Sequence, residues 1–376
     1  MKIAFLIQAL QLTGSEKVAY DLIKQMRARG VSCLLLAVYS SSDPIGRGQV
    51  LDDMAQIGVE VVELNKDRGV SALQALRTIQ TIMDRFDPDV IHSHAGMPNT
   101  LAGFRNLLFR NIYTVTTQHS GGDEWTRFKD RILERFSIFG SDKIVCVAEH
   151  VAEAYRRKFN QSRNKLVVIE NGIDMKQMES SDELAKTRLR NQLGIGSNEL
   201  ILTNVGRIDP VKNQMFLLEV AERLRNREIC FRLLLVGNDQ DKNYANKLRT
   251  KLLQLRLEKE VLLLGSRPDV QSILQISDFF LFPSRFEASP LALLEAICVG
   301  VPIVCSDIPA NRNMSPFATH SQLLAWDPEL WAEQIVHSIG APHSVASRPM
   351  ASAVDLRYLS LDRVTDDYLA LYKRQG

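Results

Sequence analysis

The sequence has little of what marks a secreted, a membrane-spanning or a nucleic-acid-binding protein. Its five cysteines are odd in number, widely spaced and without a CxxC pair, which argues against a disulfide framework and predicts reduced thiols in a cytosolic protein. No segment reaches the about 18 to 20 uninterrupted apolar residues that a membrane span needs, so only a peripheral membrane contact stays open. The 46 basic and 44 acidic residues leave a net charge of +2, too small for bulk electrostatic binding of nucleic acid.

Length and composition instead indicate a globular chain of two domains. The 376 residues are about twice the length of a typical domain. Hydrophobic residues at 45% and charged residues at 24% are the usual mix of a folded chain and exclude disorder as the main theme. The apolar stretch from Ile3 to Leu10 is short, is interrupted by Gln8 and has no small-residue cleavage site after it, so we interpret it as a first strand rather than a signal peptide.

Short β-branched or leucine-rich runs alternate with amphipathic stretches along the chain. This alternation predicts βαβ units, in which parallel sheets are covered by helices on both faces. The predicted strands are Lys2–Ile7, Ser32–Val38, Val59–Glu63, Val90–His94, Tyr113–Thr117, Lys143–Val147 and Leu166–Ile169, then Leu200–Val205, Phe231–Val236, Val261–Leu264, Phe279–Phe282 and Pro302–Cys305.

A polar stretch over residues 176–198 interrupts the alternation and is interpreted as a linker with one short helix. The predicted fold class is therefore α/β, with two doubly wound parallel-sheet (Rossmann-like) domains over residues 1–175 and 176–355. Residues 356–376 return to a helical pattern. Because ligands of such sheets bind outside the carboxyl ends of the strands, a cleft between the two domains is the expected ligand site.

The segment from Arg285 to Ala296 is the most informative one for function. It follows an apolar strand, so Glu287 lies in a strand-to-helix loop, with Ser289 as the predicted N-cap and Pro290 as the first helical residue. Glu295 then stands on an otherwise apolar helix and needs a partner. That partner is either a buried salt bridge or cap contact, or paired ligand hydroxyls beside an anion at the helix N-terminus.

A second segment places two cations after a strand that ends at Gly206. Arg207 lies on the loop and Lys212 at the start of the next helix, where a cation opposes the helix dipole. A bound anion would explain this position, because the two cations could neutralise a diphosphate leaving group without a metal. The alternative is a solvated Lys212 and an Arg207 paired to Asp209.

The first loop, Thr13 to Glu16, predicts a capping box at a helix start. It contains no GxGxxG, so the dinucleotide fingerprint is absent. Gly14 would still let the backbone approach a phosphate or a sugar.

Two histidine segments end neighbouring predicted strands, so His94 and His119 are expected at the same edge of the cleft. A zinc site built from these histidines is disfavoured, because no cysteine or HExxH spacing supports it. The Asp-x-Asp pairs at 87–89 and 239–241 resemble metal-binding motifs but fall at turns, where aspartate is common.

The basic, aromatic stretch from Trp125 to Phe136 has the pattern of an amphipathic helix. Its Phe and Ile face is interpreted as core and its charges as a solvated face, with a membrane contact as the alternative. Trp125, at the helix start, is the candidate for stacking on an acceptor.

Taken together, these segments resemble glycosyltransferase family 4, the retaining enzymes of the glycosyltransferase-B fold that assemble bacterial cell envelopes. The resemblance runs through almost the whole chain. Its most specific element is the Glu-x7-Glu pattern formed by Glu287 and Glu295. Three further motifs carry it: Gly206-Arg207 with Lys212, Asn171 to Asp174, and Thr117 to His119.

Carried over to this sequence, the resemblance implies that Arg207 and Lys212 hold a donor diphosphate. Glu295 would bind ribose hydroxyls, and Glu287 would lie against the transferred sugar. The resemblance also implies no metal, no cofactor and a final helix that packs back on the first domain. The implied sets are catalytic Glu287, His119, Arg207 and Lys212; donor-binding Gly14, Arg207, Lys212, Glu287, Ser289, Pro290, Leu291 and Glu295; and acceptor-side His94, His119 and Trp125.

The implied activity is transfer of a sugar from a UDP-, GDP- or ADP-sugar to a glycan or glycolipid acceptor, such as a lipopolysaccharide or polysaccharide precursor. The implied location is the cytoplasm or the inner face of the cytoplasmic membrane. Thr13 stands where relatives usually have glycine, and Ala310 and Asn313 stand where they often have glycine and glutamate. Two alternatives remain open: a sugar-nucleotide epimerase of the same fold and, because of these departures, a non-catalytic sugar-nucleotide-binding paralogue.

Overall fold

In the computed structural model of the chain, residues 1–67, 69–120, 128–160, 165–175, 182–339 and 358–373 are described. They divide into two units, Met1–Gly172 with Ser360–Gly376, and Ile173–Leu359. The division falls a few residues from the sequence-based boundaries at 175 and 355. The polar stretch after 181 contains the one short helix expected of it, Glu183–Gln192.

The first unit is a parallel seven-stranded sheet in the order β3-β2-β1-β4-β5-β6-β7. Its strands are β1 Lys2–Ile7, β2 Ser32–Ala37, β3 Glu60–Glu63, β4 Val90–His94, β5 Tyr113–Gln118, β6 Lys143–Cys146 and β7 Leu166–Val168. Its helices are α1 Gly14–Ala28, α2 Pro44–Gln56, α3 Ala72–Phe86, α4 Gly96–Phe109, α5 Phe128–Gly140, α6 Glu149–Phe159 and the C-terminal helix Leu361–Lys373, which is α14 below.

The second unit is a parallel six-stranded sheet in the order β10-β9-β8-β11-β12-β13. Its strands are β8 Leu200–Val205, β9 Phe231–Val236, β10 Val261–Gly265, β11 Phe279–Phe282, β12 Ile303–Ser306 and β13 Ser321–Leu324. Its helices are α7 Glu183–Gln192, α8 Gln214–Asn226, α9 Lys242–Gln254, α10 Val270–Ile276, α11 Leu291–Val299, α12 Pro309–Met314 and α13 Pro328–Ile339.

Alternation along β9 shows why the strands are so apolar. Phe231, Leu233 and Leu235 belong to the core under α8, α9 and α13, while Leu234 and Val236 belong to the core on the other face. A parallel strand that is covered on both faces must be apolar at nearly every position. Such apolar runs are the clearest strand signal in the sequence, and every predicted strand agrees with the observed one to within one residue at either end.

Strand β13 is the described strand that the sequence does not predict. Among the described strands it pairs with β12 alone, at the edge of the second sheet. Ser321 and Gln322 occupy half of its four positions, and none of its residues is fully buried. An edge strand with so little burial carries neither an apolar run nor a strong alternation, so it has no sequence signature.

Helices α4 and α5 of the first unit cross at two glycines. A Cβ atom at Gly140 would lie 1.8 Å from the Gly103 carbonyl oxygen, and one at Gly103 would lie 2.5 Å from the Phe136 carbonyl oxygen. The Asn106 side-chain amide also donates to the Gly140 carbonyl at 2.7 Å. Only residues without a side chain allow this close backbone approach.

Candidate active site

The second sheet reverses its strand order between β8 and β11, the switch point outside which ligands of doubly wound sheets bind. The loops after these two strands carry the predicted cations and carboxylates. They lie against each other, because the Arg285 backbone N–H donates to the Val211 carbonyl at 2.8 Å. The topology therefore brings together two motifs that are far apart in the sequence.

Lys212 and Glu287 form the central pair of this site. The Lys212 ammonium (Nζ) lies 2.6 Å from the Glu287 carboxylate oxygen Oε1, with side-chain exposures of 19% and 8%. The ammonium also lies over the Phe282 ring, 5.6 Å from its centre. The expectation of a solvated Lys212, which was one of the two alternatives, is therefore wrong.

Arg207 is the more accessible cation. Its guanidinium contacts the Asp209 carboxylate at 3.3 Å, and its side chain remains 50% exposed. The same carboxylate accepts the backbone N–H groups of Val211 and Lys212, both at 3.0 Å. Asp209 thus holds the loop in its conformation. Because Arg207 is half exposed, exchanging Asp209 for a ligand anion as its partner would cost little free energy.

Helix α11 points its N-terminus at the same edge of the sheet. The prediction of Ser289 as N-cap is wrong by one position: Pro290 is the N-cap, because its carbonyl accepts the N–H groups of Leu293 and Leu294 at 3.2 Å. The first N–H groups of the helix have no intrahelical acceptor, so this end favours an anion. Glu295 lies in the second turn and is buried, as are Ser289 and Leu291.

Gly237 is a residue of this site that the sequence analysis missed. It follows β9 with a φ of +146°, and a Cβ atom there would lie 2.0 Å from the Gly206 carbonyl oxygen and 3.2 Å from the Arg207 nitrogen. The backbone that carries Arg207 therefore depends on the absence of a side chain at position 237. A signal was present, since both strands end in Val-Gly, at Val205-Gly206 and Val236-Gly237.

The first sheet has its own switch point, between β1 and β4. Gly14 begins α1 after β1, and a Cβ atom there would meet nothing within 4 Å. The predicted capping box is wrong: the Thr13 hydroxyl donates to the Glu16 carboxylate, and neither side chain caps a backbone N–H. The loop leaves open space at Gly14, so the protein's own packing does not demand glycine there.

The structure brings His94 and His119 together at the ends of β4 and β5, as their positions after neighbouring strands predict. Nδ1 of His94 lies 3.0 Å from Nε2 of His119. His92 is held separately, with Tyr372 Oη 2.7 Å from its Nδ1 and Thr117 Oγ1 2.7 Å from its Nε2. The α14 tyrosine was missed, because nothing local relates a C-terminal helix to residue 92.

Burial keeps these three imidazoles uncharged at neutral pH. It lowers the pKa of His92 to about 3 and that of His119 to about 4. It lowers the pKa of His94 well below the usual value, and the neighbouring imidazoles lower it further.

The remaining candidates do not add to the site. Trp125 lies outside the described residues. In the Asp-x-Asp pair at 239–241, Asp239 pairs with Lys242 and Arg249, and Asp241 caps α9. Within the described ranges, no group of three or more His, Cys, Asp or Glu side chains is arranged to hold a metal ion.

Two family models match the chain. The model described as Glycosyltransferase Family 4 matches residues 12–177, and the model described as glycosyl transferases group 1 matches residues 185–315. The two matches lie side by side and together span most of the sequence.

Curated relatives carry glycosyltransferase names. The UDP-Gal:alpha-D-GlcNAc-diphosphoundecaprenol alpha-1,3-galactosyltransferase of Escherichia coli is 28% identical over 256 residues, which are 65% of this chain and 64% of the relative. The putative glycosyltransferase EpsF of Bacillus subtilis (strain 168) is 26% identical over 279 residues, 72% of this chain and 71% of the relative. The chain thus spans less than two thirds of the E. coli relative.

Solved structures share the fold over their whole length. Anabaena Alr3699/HepE in complex with UDP-glucose has a TM-score of 0.83 at 18% identity, covering 99% of both chains. WaaG, a glycosyltransferase involved in lipopolysaccharide biosynthesis, has a TM-score of 0.70 at 14% identity, covering 100% of this chain and 96% of its own. Both units are therefore the Rossmann-like halves of a glycosyltransferase-B fold. Among the described helices, none combines the length and the apolar character needed to cross a bilayer.

Proposed function

Since the chain belongs to glycosyltransferase family 4, we propose that it transfers a sugar from a nucleoside diphosphate sugar to an acceptor hydroxyl, with retention at the anomeric carbon and without a metal. The observation that carries the proposal is the cluster at the β8–β11 switch point. Arg207, the Lys212–Glu287 pair and the N-terminus of α11 lie there on adjoining loops.

In this proposal Lys212 exchanges one partner for another. Its ammonium is neutralised by Glu287 at 2.6 Å in the structure. A diphosphate at the N-terminus of α11 would carry more negative charge than one carboxylate and would attract both Lys212 and Arg207. Glu287 would then be released to accept hydrogen bonds from hydroxyls of the transferred sugar, and Glu295 would bind the ribose hydroxyls. Ser289, Pro290 and Leu291 would bring the backbone of the helix start to the phosphates.

The sugar would be transferred on the face from which the diphosphate leaves. The bond between the anomeric carbon and the diphosphate oxygen breaks, and the acceptor oxygen forms the new glycosidic bond. The hydroxyl proton passes to an oxygen of the leaving diphosphate, whose charge is stabilised by Arg207 and Lys212.

The names of the relatives suggest which substrates to try first. The E. coli relative is named for a UDP-galactose donor and a lipid diphosphate acceptor, and the Anabaena structure contains UDP-glucose. We therefore propose a UDP-hexose donor and a glycolipid or polysaccharide-precursor acceptor, with GDP- and ADP-sugars as the donors to compare.

Two other functions make different products. An epimerase would convert one UDP-sugar to another without an acceptor and without releasing UDP. A non-catalytic paralogue would bind the nucleotide and release nothing. The transferase is favoured because Arg207 and Lys212, beside the N-terminus of α11, would stabilise a departing diphosphate, whereas the net conversion of one UDP-sugar to another releases none.

Nucleotide binding tests the proposal directly. We expect UDP or another nucleoside diphosphate, at 100 times its Kd, to raise the free energy of unfolding by about 2.7 kcal/mol. Thermal unfolding with UDP, GDP, ADP and their hexose derivatives measures this. UDP release from the hexose donor is then followed with a GlcNAc-diphosphate lipid as acceptor. Stabilisation by none of the nucleotides would contradict donor binding, and stabilisation without UDP release would favour the non-catalytic paralogue.

We also propose that the first unit contacts an anionic membrane surface. The prediction that the apolar face of the α5 segment is core is wrong for Ile132, which is exposed, and Phe139 in the last turn is 66% exposed. The close crossing of α4 and α5 brings their C-terminal ends together, and the end of α4 exposes Leu108 and Phe109. Exposed arginines flank these side chains: Arg110, Arg131 and Arg135.

Phe139→Ser is expected to weaken vesicle binding, because it removes an apolar side chain while keeping the arginines. The measurement is co-sedimentation with phosphatidylglycerol vesicles at low and high salt, beside neutral phosphatidylcholine vesicles. Leu253→Ser is the control, since Leu253 is similarly exposed but lies on α9 of the second unit. Equal binding by the parent chain and Phe139→Ser would rule out this surface.

A further inference from the structure

The two histidines at the ends of β4 and β5 are hydrogen-bonded in an asymmetric way. Nδ1 of His94 faces Nε2 of His119 at 3.0 Å, with the rings stacked 5.2 Å apart. His94 is 1% exposed, whereas His119 is partly exposed. Because His94 occupies Nε2 of His119, Nδ1 is the nitrogen that His119 can present to a ligand.

The second nitrogen of His94 decides which of the two imidazoles donates. Nε2 of His94 is buried, and within the described part of the chain it has no hydrogen-bond partner. A neutral imidazole has one N–H and one lone pair. A buried N–H without an acceptor is rarer and costlier than a buried lone pair without a donor. His94 therefore carries its proton on Nδ1 and donates it to His119.

His92 cannot replace His94 as the hydrogen-bond donor to His119. Its two nitrogens are occupied by the hydroxyls of Tyr372 and Thr117, although its ring lies only 4.2 Å from that of His94. The rings of His92 and of Phe5, on β1, pack against the His94 ring and hold it in place. The partner of His119 is thus His94 alone among the described histidines.

The backbone beside His94 is strained in a way that supports a fixed ring position. Ala95 has φ +58° and ψ 156°, a region that residues other than glycine rarely adopt. It is held there by the Thr117 carbonyl, which accepts the Ala95 N–H and the Asn99 side-chain amide, both at 3.0 Å. Such strain persists where the surroundings impose it, and it is common at functional sites.

We propose that His94 is a positioning residue that fixes His119 in its Nδ1–H tautomer, so that His119 meets a sugar oxygen as a neutral hydrogen-bond donor. The proposal rests on the proposed function for the identity of the ligand, but the tautomer is a property of the protein alone. An imidazole without a partner prefers the Nε2–H tautomer, so the Nδ1–H form is a specific signature of donation by His94.

This assignment gives His119 a defined part in the reaction. A nitrogen that carries a proton cannot accept one, so His119 is not the base that deprotonates the acceptor. The low pKa of His119, about 4 because of burial, likewise keeps it from acting as a cation near neutral pH. Both points agree with a transfer in which the leaving diphosphate takes the acceptor proton.

Nitrogen NMR tests the tautomer. Protein labelled with 15N-histidine is studied at pH 7 by long-range proton–nitrogen correlation, which distinguishes a protonated from a lone-pair nitrogen, and His119→Gln assigns the signals. We expect Nδ1 of His119 to be protonated in the parent chain. A protonated Nε2 on His119 in the parent chain would overturn the proposal.

Three substitutions at His94 separate donation from shape. His94→Asn keeps an N–H donor near the position of Nδ1 and is expected to preserve the Nδ1–H tautomer of His119. His94→Phe keeps an aromatic ring beside Phe5 and His92 but donates nothing, and His94→Asp can only accept; both are expected to shift His119 to Nε2–H. If the His94→Asp variant does not fold, the His94→Phe variant alone decides the question. An unchanged His119 tautomer in His94→Phe would overturn the proposal.

Activity provides the second measurement. With the tautomer lost, we expect kcat for transfer to fall at least about tenfold in His94→Phe, with recovery in His94→Asn. His337→Gln, at an exposed position on α13, is the control and should match the parent chain. Equal kcat in the Phe and parent chains, with the tautomer shifted, would remove the catalytic part of the proposal. If no chain transfers sugar, the proposed function fails while the tautomer assignment is still decided by NMR.

Discussion

Lys212→Met is expected to lower kcat/KM for sugar transfer at least about 100-fold. Loss of one group that stabilises charge developing in a transition state costs about 2.7 to 4 kcal/mol. Methionine keeps an unbranched apolar side chain over Phe282, so the change removes chiefly the ammonium. The measurement is the initial rate of UDP release with donor and acceptor both present.

The substitution also leaves Glu287 buried without its cation, so stability must be followed in parallel. Removing one partner of a buried pair destabilises by up to about 3 to 5 kcal/mol, and the partial exposure of Lys212 reduces this. In Lys212→Met/Glu287→Gln the stranded charge is absent, and we expect stability to recover while activity does not. A double variant that regains activity would show that Lys212 acts only through Glu287.

Lys251→Met is the matched control for Lys212→Met. Lys251 forms an ion pair of the same type in the same unit, with Glu219 at 3.2 Å, but it links α9 to α8 away from the switch point. We expect activity within about twofold of the parent chain, because an exposed pair contributes at most about 1 kcal/mol. Equal loss in both lysine variants, or full activity in Lys212→Met, would contradict the assignment of Lys212 to the diphosphate.

Gly237→Ala is expected to have the second largest effect, on stability and donor binding together. The new methyl group would lie 2.0 Å from the Gly206 carbonyl oxygen, so the end of β8 or of β9 must move. Forced overpacking costs about 1 to 3 kcal/mol, and the positive φ adds about 1 to 3 kcal/mol. Because the same movement displaces Arg207, affinity for UDP should fall as well.

Urea unfolding followed by tryptophan fluorescence measures the stability, since Trp331 is buried in the core of the second unit. Gly194→Ala is the control: Gly194 also has a positive φ, +66°, but a Cβ atom there meets nothing within 4 Å. Gly194→Ala should lower the free energy of unfolding only by the cost of the backbone strain, and it should leave the UDP affinity unchanged. A similar loss of stability in both variants would show that φ, and not the contact with Gly206, governs position 237.

The positions of most helices and strands, and the residues that carry charge to the sheet edges, can be predicted from local sequence pattern. Doubly covered parallel strands such as β9 are apolar at nearly every position, with Arg232 as the exception there, so their positions can be predicted locally. Local pattern also placed Arg207, Lys212 and Glu287 in the strand-to-helix connections that follow two of the strands. It failed where the signal is weak, as at the edge strand β13, and at the α11 cap, where both Ser289 and Pro290 are acceptable at a helix start.

Which of these residues come into contact depends on how the strands are ordered in each sheet. Lys212 and Glu287 are 75 positions apart, and they pair because the strand order places β8 next to β11. The pairing of β8 with β9 sets Gly237 against Gly206, and in the first sheet the pairing of β4 with β5 sets His94 against His119. The return of α14 brings Tyr372 to His92. Periodicity in a sequence reports the surroundings of one helix or strand. Contacts across a sheet depend on strand order instead, and strand order depends on how the whole chain buries both faces of the sheet.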